Sequence, residues 1–264
     1  MSKALTFYAS FDNGSDADFG KGNNKIYTGD FKGSADQTGI VSQPGLGKPA
    51  LSLAKGKGKH GTALEFTEMN SHVVFYNLEE NIEYDENDFV GTVSFWISAD
   101  ANEIPGQYCD PIQITDKYYA SDAIWVDITK NDIPPDLRLG VYGDQKVWDV
   151  KNRAGAGEEF FWRILKVSEP PLKKNIWTHI VVTWQGLNTD DIGRGKLYIN
   201  GVYRGQSGPI REPFKWDISK VTMRLGTGKF VGLLDEIALF NKALTQKEIK
   251  ILYNLKNGIK ELNP

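Results

Sequence analysis

The sequence predicts an all-β chain, a two-sheet antiparallel β-sandwich closed by one short C-terminal helix. Three observations carry that reading. Short runs of β-branched and aromatic residues recur along the 264 positions, separated by Gly, Asn, Asp and Pro, the pattern of strands joined by turns. The 27 glycines suit a chain that turns often. No helical periodicity alternates with the strand-like runs, so the rhythm of a parallel α/β sheet is missing.

Leu5 to Phe11 (LTFYASF) reads as the first strand, stopped by turn chemistry at Asp12-Asn13-Gly14. Residues 13–60 form a long polar passage, with short strand pieces at Gly39–Val41 and Ala50–Leu53. Passages of that length are functional or partly disordered, and Lys55–His60 (KGKGKH) within it reads as a solvated turn. Thr62–Phe66 and His72–Tyr76 read as a hairpin across 67–71. Phe89–Ile97 (FVGTVSFWI) is a buried strand. An antiparallel series follows at Ile112–Thr115, Ala123–Thr129, Leu137–Tyr142 and Lys146–Val150, with Gly143-Asp144 as a hairpin turn. Phe160–Val167 is a strand that Glu169-Pro170-Pro171 breaks, and Trp177–Trp184 (WTHIVVTW) is the clearest strand in the chain. Lys196–Ile199 and Val202–Arg204 flank Asn200-Gly201, a strong hairpin signal, and Val221–Leu225 precedes the last strand.

That last strand organises the rest. Gly232–Phe240 is apolar on both alternating faces, with Leu233, Ile237 and Leu239 on one and Leu234, Ala238 and Phe240 on the other. Asp235 and Glu236 fall at its centre, where a charge is costly unless paired or bound to metal. Backbone amides or an arginine such as Arg224 would equally satisfy Asp235. Thr245 and Glu248 form a capping box, and Ile249, Leu252, Tyr253 and Leu255 fall at helical spacing, predicting a helix over 246–255 that Asn257-Gly258 ends. About a dozen strands and one terminal helix make a jelly roll the economical architecture. No composition break marks a second domain, so residues 1–264 read as one.

Composition narrows the partners. A net charge of −3, with no basic run interleaved with aromatics, gives no support for nucleic acid. No apolar stretch approaches membrane-spanning length, and Met-Ser-Lys-Ala-Leu lacks the apolar core of a signal peptide. The single cysteine, Cys109, excludes an internal disulfide.

Four stretches, taken in order, carry a family resemblance: HGTALEF (60–66), GTVSFWI (91–97), WTHIVVTW with GKLYING (177–184, 195–201), and GLLDEIALFNKALT (232–245). Together they resemble the laminin-G-like, concanavalin A-like jelly-roll domains common in bacterial extracellular proteins, over nearly the whole chain from Phe7 to Tyr253. The resemblance implies an extracellular or cell-surface setting. It says less of function, because the family holds lectins, adhesion modules, sugar-binding appendages and some enzymes. Domains similar to this one often hold a structural calcium between the loop after the first strand and the acidic pair of the last. The matching positions are Asp12, backbone carbonyls near Asn13 or Gly14, and Asp235, the oxygen donors a hard cation takes. Asp18, Asp30 and Asp36 offer further oxygens.

The segment 101–172 is longer than such domains usually carry and is the expected seat of specificity. Sugars stack on aromatic rings while planar polar groups hold their hydroxyls, and this segment is rich in both. Tyr108, Tyr118, Tyr119, Trp125, Arg138, Trp148, Arg153 and Trp162 are the candidates, with Asp110, Asp122, Phe161 and Arg163 nearby. The competing reading is that the aromatics are core. In AIWVDIT, Trp125 shares a face with Asp127 while Ile124, Val126 and Ile128 share the other, which puts Trp125 on the more polar side.

A catalytic pair is harder to find. Retaining glycosidases need two carboxylates about 5–5.5 Å apart. The nearest spacing match, Glu83-Tyr84-Asp85-Glu86-Asn87-Asp88, reads as a solvated turn and ends in Asp where jelly-roll glucanases carry Glu. Gln113, Arg138, Tyr142 and His179 are the types a lyase uses, without a lyase motif, and His179 reads as a hydrogen-bonded core histidine. His60 and His72 lack zinc-ligand spacing. The expectation is therefore a non-catalytic, lectin-like carbohydrate-binding module with a structural calcium. A glycoside hydrolase or polysaccharide lyase on the same fold is the first alternative, and a protein-interaction or adhesion module the second.

Overall fold

The computed structural model describes residues 1–32, 39–68, 71–104, 108–129, 135–151 and 157–263. Its strands form two antiparallel sheets packed face to face, a jelly-roll β-sandwich. The first sheet runs β15 (Val202–Gln206), β14 (Arg194–Ile199), β13 (Thr178–Leu187), β8 (Phe89–Ser98), β17 (Gly232–Phe240), β1 (Leu5–Ala9) and β2 (Phe19–Gly20). Onto β17 it also adds β6 (Gly61–Phe66) with β5 (Leu51–Gly58). The second runs β12 (Leu165–Ser168), β11 (Asp136–Tyr142), β10 (Ser121–Thr129), β9 (Tyr108–Tyr118), β16 (Thr222–Thr227), β7 (Val73–Asn77), β3 (Ile26–Phe31) and β4 (Ile40–Pro44).

Side-chain alternation decides what lies between the sheets. Val93, Phe95 and Ile97 of β8, Ile180, Val182 and Trp184 of β13, and Ile124, Val126 and Ile128 of β10 meet in one buried core. On the outer face of the first sheet, Tyr8, Val181, Ala238 and Phe240 are covered by Ile249 and Leu252 of the helix α3 (Gln246–Tyr253). That cover is why the last strand reads apolar on both sides. The Thr245–Glu248 capping box is present in both directions.

The alternation within β17 differs from the predicted one. A register shift between Asp235 and Ala238, with Glu236 at φ 53°, marks a β-bulge that puts one extra residue in the strand. Leu234 therefore joins Ile237 and Leu239 in the inter-sheet core, and does not share a face with Ala238 and Phe240.

Local chemistry accounts for other differences. The segment predicted as a strand at Lys146–Val150 begins with the helix α1 (Gln145–Trp148), because Asp144 accepts from the Lys146 amide as an N-cap instead of turning a hairpin. Phe160–Val167 divides into the helix α2 (Glu158–Phe161) and β12. Thr62–Phe66 and His72–Tyr76 form no hairpin: β6 pairs with β5 and β17, β7 with β16 and β3, in opposite sheets. The polar passage carries β2 to β5, and Lys55–Gly58 extends β5. Its strand β3 is diluted by Gly29, where a Cβ would sit 2.4 Å from the Val41 carbonyl oxygen, so close strand approach demands the glycine.

Leu239, 1% exposed in the inter-sheet core, tests the β17 packing. Leu239→Ala is expected to cost about 2–5 kcal/mol, read as a lower denaturation midpoint with an unchanged native far-UV spectrum.

Candidate functional site

The outward residues of the second sheet build a cleft of about 560 Å³, within the range of small-molecule sites. Because Ile124, Val126 and Ile128 face the core, Trp125 and Asp127 face the cleft from β10, joined by Arg138 from β11. A register shift where β9 meets β10 lets both Asp110 and Gln113 reach the same cavity. Phe31, His72 and Val73 line one side, Tyr108, Tyr119, Phe160 and Phe161 another, and Thr227, Gly228 and Lys229 complete it.

The polar base consists of two hydrogen-bonded sets. Asp127 and Arg138 are register partners across β10 and β11. Arg138 Nε donates to Asp127 Oδ1 at 2.7 Å and Nη2 to Oδ2, a bidentate pair. The guanidinium lies 5.1 Å from the Tyr108 ring and 5.8 Å from that of Trp125. In the second set, Gln113 Nε2 donates to Asp110 Oδ2 at 2.8 Å and Arg224 Nη1 to Gln113 Oε1 at 3.0 Å. Arg224 also donates to Thr222 Oγ1 and the Lys117 carbonyl. Burial pushes the Asp110 carboxyl up to about 8, with the Asp127 charge adding to the rise. Burial raises Asp127 as well, but its hydrogen bonds to Arg138 oppose the shift. Asp127 thus has an arginine to stabilise its charge, whereas Asp110 accepts from the neutral Gln113 amide. Burial draws Arg224 down to about 10.

An aromatic stack stiffens one wall. Trp125 lies against Gly140, where a Cβ would come within 2.2 Å of the ring. Trp125 stacks on Tyr142 at 5.8 Å, Tyr142 stacks on Phe160 at 4.9 Å, and Trp125 Nε1 donates to the Tyr119 carbonyl. Trp125 is only 2% exposed, whereas Tyr108 at 44% and Phe161 at 49% present open ring surface to the cleft.

Of the eight predicted ligand residues, Tyr108, Tyr119, Trp125 and Arg138 converge here. Tyr118 packs edge-on against Tyr119 and is not part of the lining. Trp148 is buried behind the cleft with Tyr142 and Phe160, its Nε1 donating to the Ala120 carbonyl. Trp162 is 56% exposed beside Arg163, away from the lining. Arg153 lies outside the described residues. Phe31, His72, Thr227 and Lys229 come from distant parts of the chain, and no local pattern announces them. Asp127 was announced by its alternation with Trp125.

The lyase-type quartet does not assemble. Gln113 and Arg138 share the cleft, but the Tyr142 hydroxyl donates to the Phe160 carbonyl. His179 is buried in the other sheet, bonded to Ser94 Oγ and stacked on Trp96, with burial pulling its pKa to about 3. The 83–88 stretch is a surface turn in which Asp85 accepts from the Asn87 amide.

The acids of β17 are met by the chain itself. Asp235 Oδ2 accepts from the His60 amide at 3.1 Å and Oδ1 from the Glu236 amide at 2.7 Å. Arg224 is not its partner, since that guanidinium belongs to the opposite sheet. Glu236 accepts from the Tyr8 hydroxyl and from the Ile259 amide. Asp12 Oδ1 accepts from the Thr62 amide at 2.8 Å, and Oδ2 lies 3.6 Å from Lys260 Nζ. Asp12 and Asp235 border one turn: a Cβ at Gly61 would meet Asp12 Oδ1 and one at Gly58 would meet Asp235 Oδ2. As a cation site the set is sparse, because each of these oxygens already faces a donor or a lysine. Among the described residues no group of three or more His, Cys, Asp or Glu is gathered for a metal ion.

The profile of the concanavalin A-like lectin/glucanases superfamily matches residues 70–250. No curated protein matches the chain. Among solved structures, it is similar to domain 4 of AbnA, a GH43 extracellular arabinanase from Geobacillus stearothermophilus, in complex with arabinotriose. That likeness has 17% identity and a TM-score of 0.57, covering 95% of this chain and 98% of that one. The chain is also similar to the binding domain of botulinum neurotoxin DC, seen in complex with SialylT (15% identity, TM-score 0.53) and with rat synaptotagmin II (15%, 0.54). Each of these two likenesses covers 96% of this chain and 52% of the toxin domain. At such identities these likenesses speak for fold alone. Among the described residues no helix is long and apolar enough to cross a membrane.

Asp110 predicts a pH dependence of stability. Its folded carboxyl titrates near 8, against about 3.9 in an unfolded chain, so between those values the native state binds the extra proton. Its contribution to stability therefore falls as pH rises from about 4 to about 8. The wild-type melting temperature is expected to drop more between pH 5 and pH 9 than that of Asp110→Asn.

Proposed function

We propose that this chain, which belongs to the concanavalin A-like lectin/glucanases superfamily, is a non-catalytic, lectin-like carbohydrate-binding module whose glycan seats in the cleft over β9, β10 and β11. The observation that carries the reading is the pairing of open aromatic surface at Tyr108 and Phe161 with planar amide, carboxyl and guanidinium groups in one cavity. A sugar presents an apolar C–H face and a ring of hydroxyls, and this arrangement offers a surface for each. The AbnA domain in complex with arabinotriose supports the reading by analogy of fold. In the same reading the chain works outside the cell.

A polysaccharide-cleaving enzyme is the second reading, favoured by Asp110, a carboxyl that burial pushes up to about 8, beside a second carboxyl, Asp127. Against it stands the bidentate arginine on Asp127, which withdraws that carboxylate from service as nucleophile or base. A protein-binding module is the third, supported by the toxin domain in complex with synaptotagmin. A structural calcium bordered by Asp12, the carbonyls near Asn13 or Gly14, and Asp235 belongs to the proposal too. It is supported by Asp12 and Asp235 bordering one turn, at Gly61 and Gly58.

Two measurements check these statements. A panel of plant, algal and bacterial polysaccharides is expected to show retention without release of reducing ends or unsaturated uronates, and Tyr108→Ala is expected to weaken binding about tenfold, roughly 1.4 kcal/mol. Product release would make it an enzyme, and binding untouched by Tyr108→Ala would move the site elsewhere. For calcium, a chelator is expected to lower the melting temperature and added calcium to restore it. An unmoved melt would leave the backbone amides as the partners of Asp235.

A further inference from the structure

The charges around the cleft narrow the ligand further. Resting on the glycan-binding reading above, we propose that the cleft takes neutral sugars and discriminates against sugars that carry a carboxylate or sulfate. A ligand carboxylate is best held by a guanidinium that offers two parallel N–H groups. Arg138 has spent such an edge, Nε with Nη2, on Asp127. Arg224, 2% exposed, directs Nε, Nη1 and Nη2 to Thr222, Gln113 and the Lys117 carbonyl. Among the described residues the other cation of the lining is Lys229, exposed to water, where its attraction is screened. His72, also at the cleft, is bonded to Asp30, a further acid.

Against those spent cations, two carboxyl groups, Asp110 and Asp127, face the cavity. Burial first, and then the charge on Asp127, pushes the Asp110 carboxyl up. A ligand carboxylate entering the cavity meets what holds Asp110 high, the loss of water first and then the Asp127 charge, at an effective dielectric below that of bulk water. A hydroxyl meets no such penalty, since it donates to a carboxylate oxygen and accepts from an N–H or a protonated carboxyl. The same groups that repel a uronate therefore suit a neutral diol.

The test is a binding panel on the full chain with matched pairs, each a uronate-containing oligosaccharide and its carboxyl-reduced neutral counterpart of identical linkage. The neutral member of every bound pair is expected to bind at least tenfold tighter. Asp127→Asn releases the Arg138 edge and is expected to shift that ratio at least tenfold toward the acidic member. If Asp127→Asn does not fold, Asp110→Asn, which leaves the ion pair intact, is measured at pH 9, where wild-type Asp110 is ionised, and is expected to narrow the ratio at least threefold. Equal or tighter binding of the acidic members, or ratios that the folded variants leave unmoved, overturns the discrimination while glycan binding stands. Retention of no glycan of either class overturns both.

Discussion

The structure depends on how one strand carries two buried acids. β17 is central to the first sheet, paired with β8 on one side and with β1 and β6 on the other. Its bulge at Glu236 does two things at once. It rotates the strand so that Leu234, Ile237 and Leu239 fill the inter-sheet core while Ala238 and Phe240 turn toward α3. It also aims both carboxyls at groups from distant segments: the His60 amide, the Tyr8 hydroxyl and the Ile259 amide. A buried acid without donors would cost several kcal/mol. With them, each acid becomes a tie between β17 and the β5–β6 turn, the first strand or the C-terminal segment.

The cleft follows the same logic on the other sheet. Alternation delivers each outward residue of β9, β10 and β11 from a strand whose inward neighbours are locked in the core, so the polar base is held by packing the ligand never touches. Residues 143–151 and 157–164 add a partial third layer above that face. Trp148 and Phe160 close over Tyr142 and Trp125 and leave the rest of the sheet open as the cavity. The added chain therefore shapes the site mainly by covering part of a sheet that would otherwise be a flat surface.

Much of the fold was legible because its signals are local. β8, β13 and β17 are long apolar runs, Asn200-Gly201 sits at the β14–β15 hairpin, and Thr245 with Glu248 starts α3 as read. The misreadings have specific physical causes. The β17 bulge is a backbone event at a glutamate, invisible to period-two counting. Lys146–Val150 looks strand-like until Asp144 is recognised as a cap. The pairing of β6 and β7 with partners in opposite sheets is a long-range choice that neighbouring sequence does not encode. For the cleft, Trp125 and Asp127 were legible from alternation, and Arg138 by residue type. Phe31, His72 and Lys229 were not, because they reach the cavity only through the β3–β7–β16–β9 order of the second sheet.

That division between rigid and adjustable parts also bears on recognition. Asp110, Gln113, Trp125, Asp127 and Arg138 stand on paired strands and lose little freedom when a ligand arrives, so their hydrogen bonds carry orientation at low entropic cost. Gly228 and Lys229 occupy the turn after β16, and Phe161 ends a single-turn helix, so these positions have more room to adapt. In the proposed glycan-binding reading, the strand-borne groups set which hydroxyls and charges are accepted, and the loop-borne groups set how far the sugar beyond them is gripped. On that reading, preference for linkage and chain length should vary with changes at Phe161 and Lys229, whereas preference for the kind of sugar ring should follow the Asp127–Arg138 pair. The pair is the harder of the two to alter, since removing one member leaves a buried charge unmatched and costs several kcal/mol.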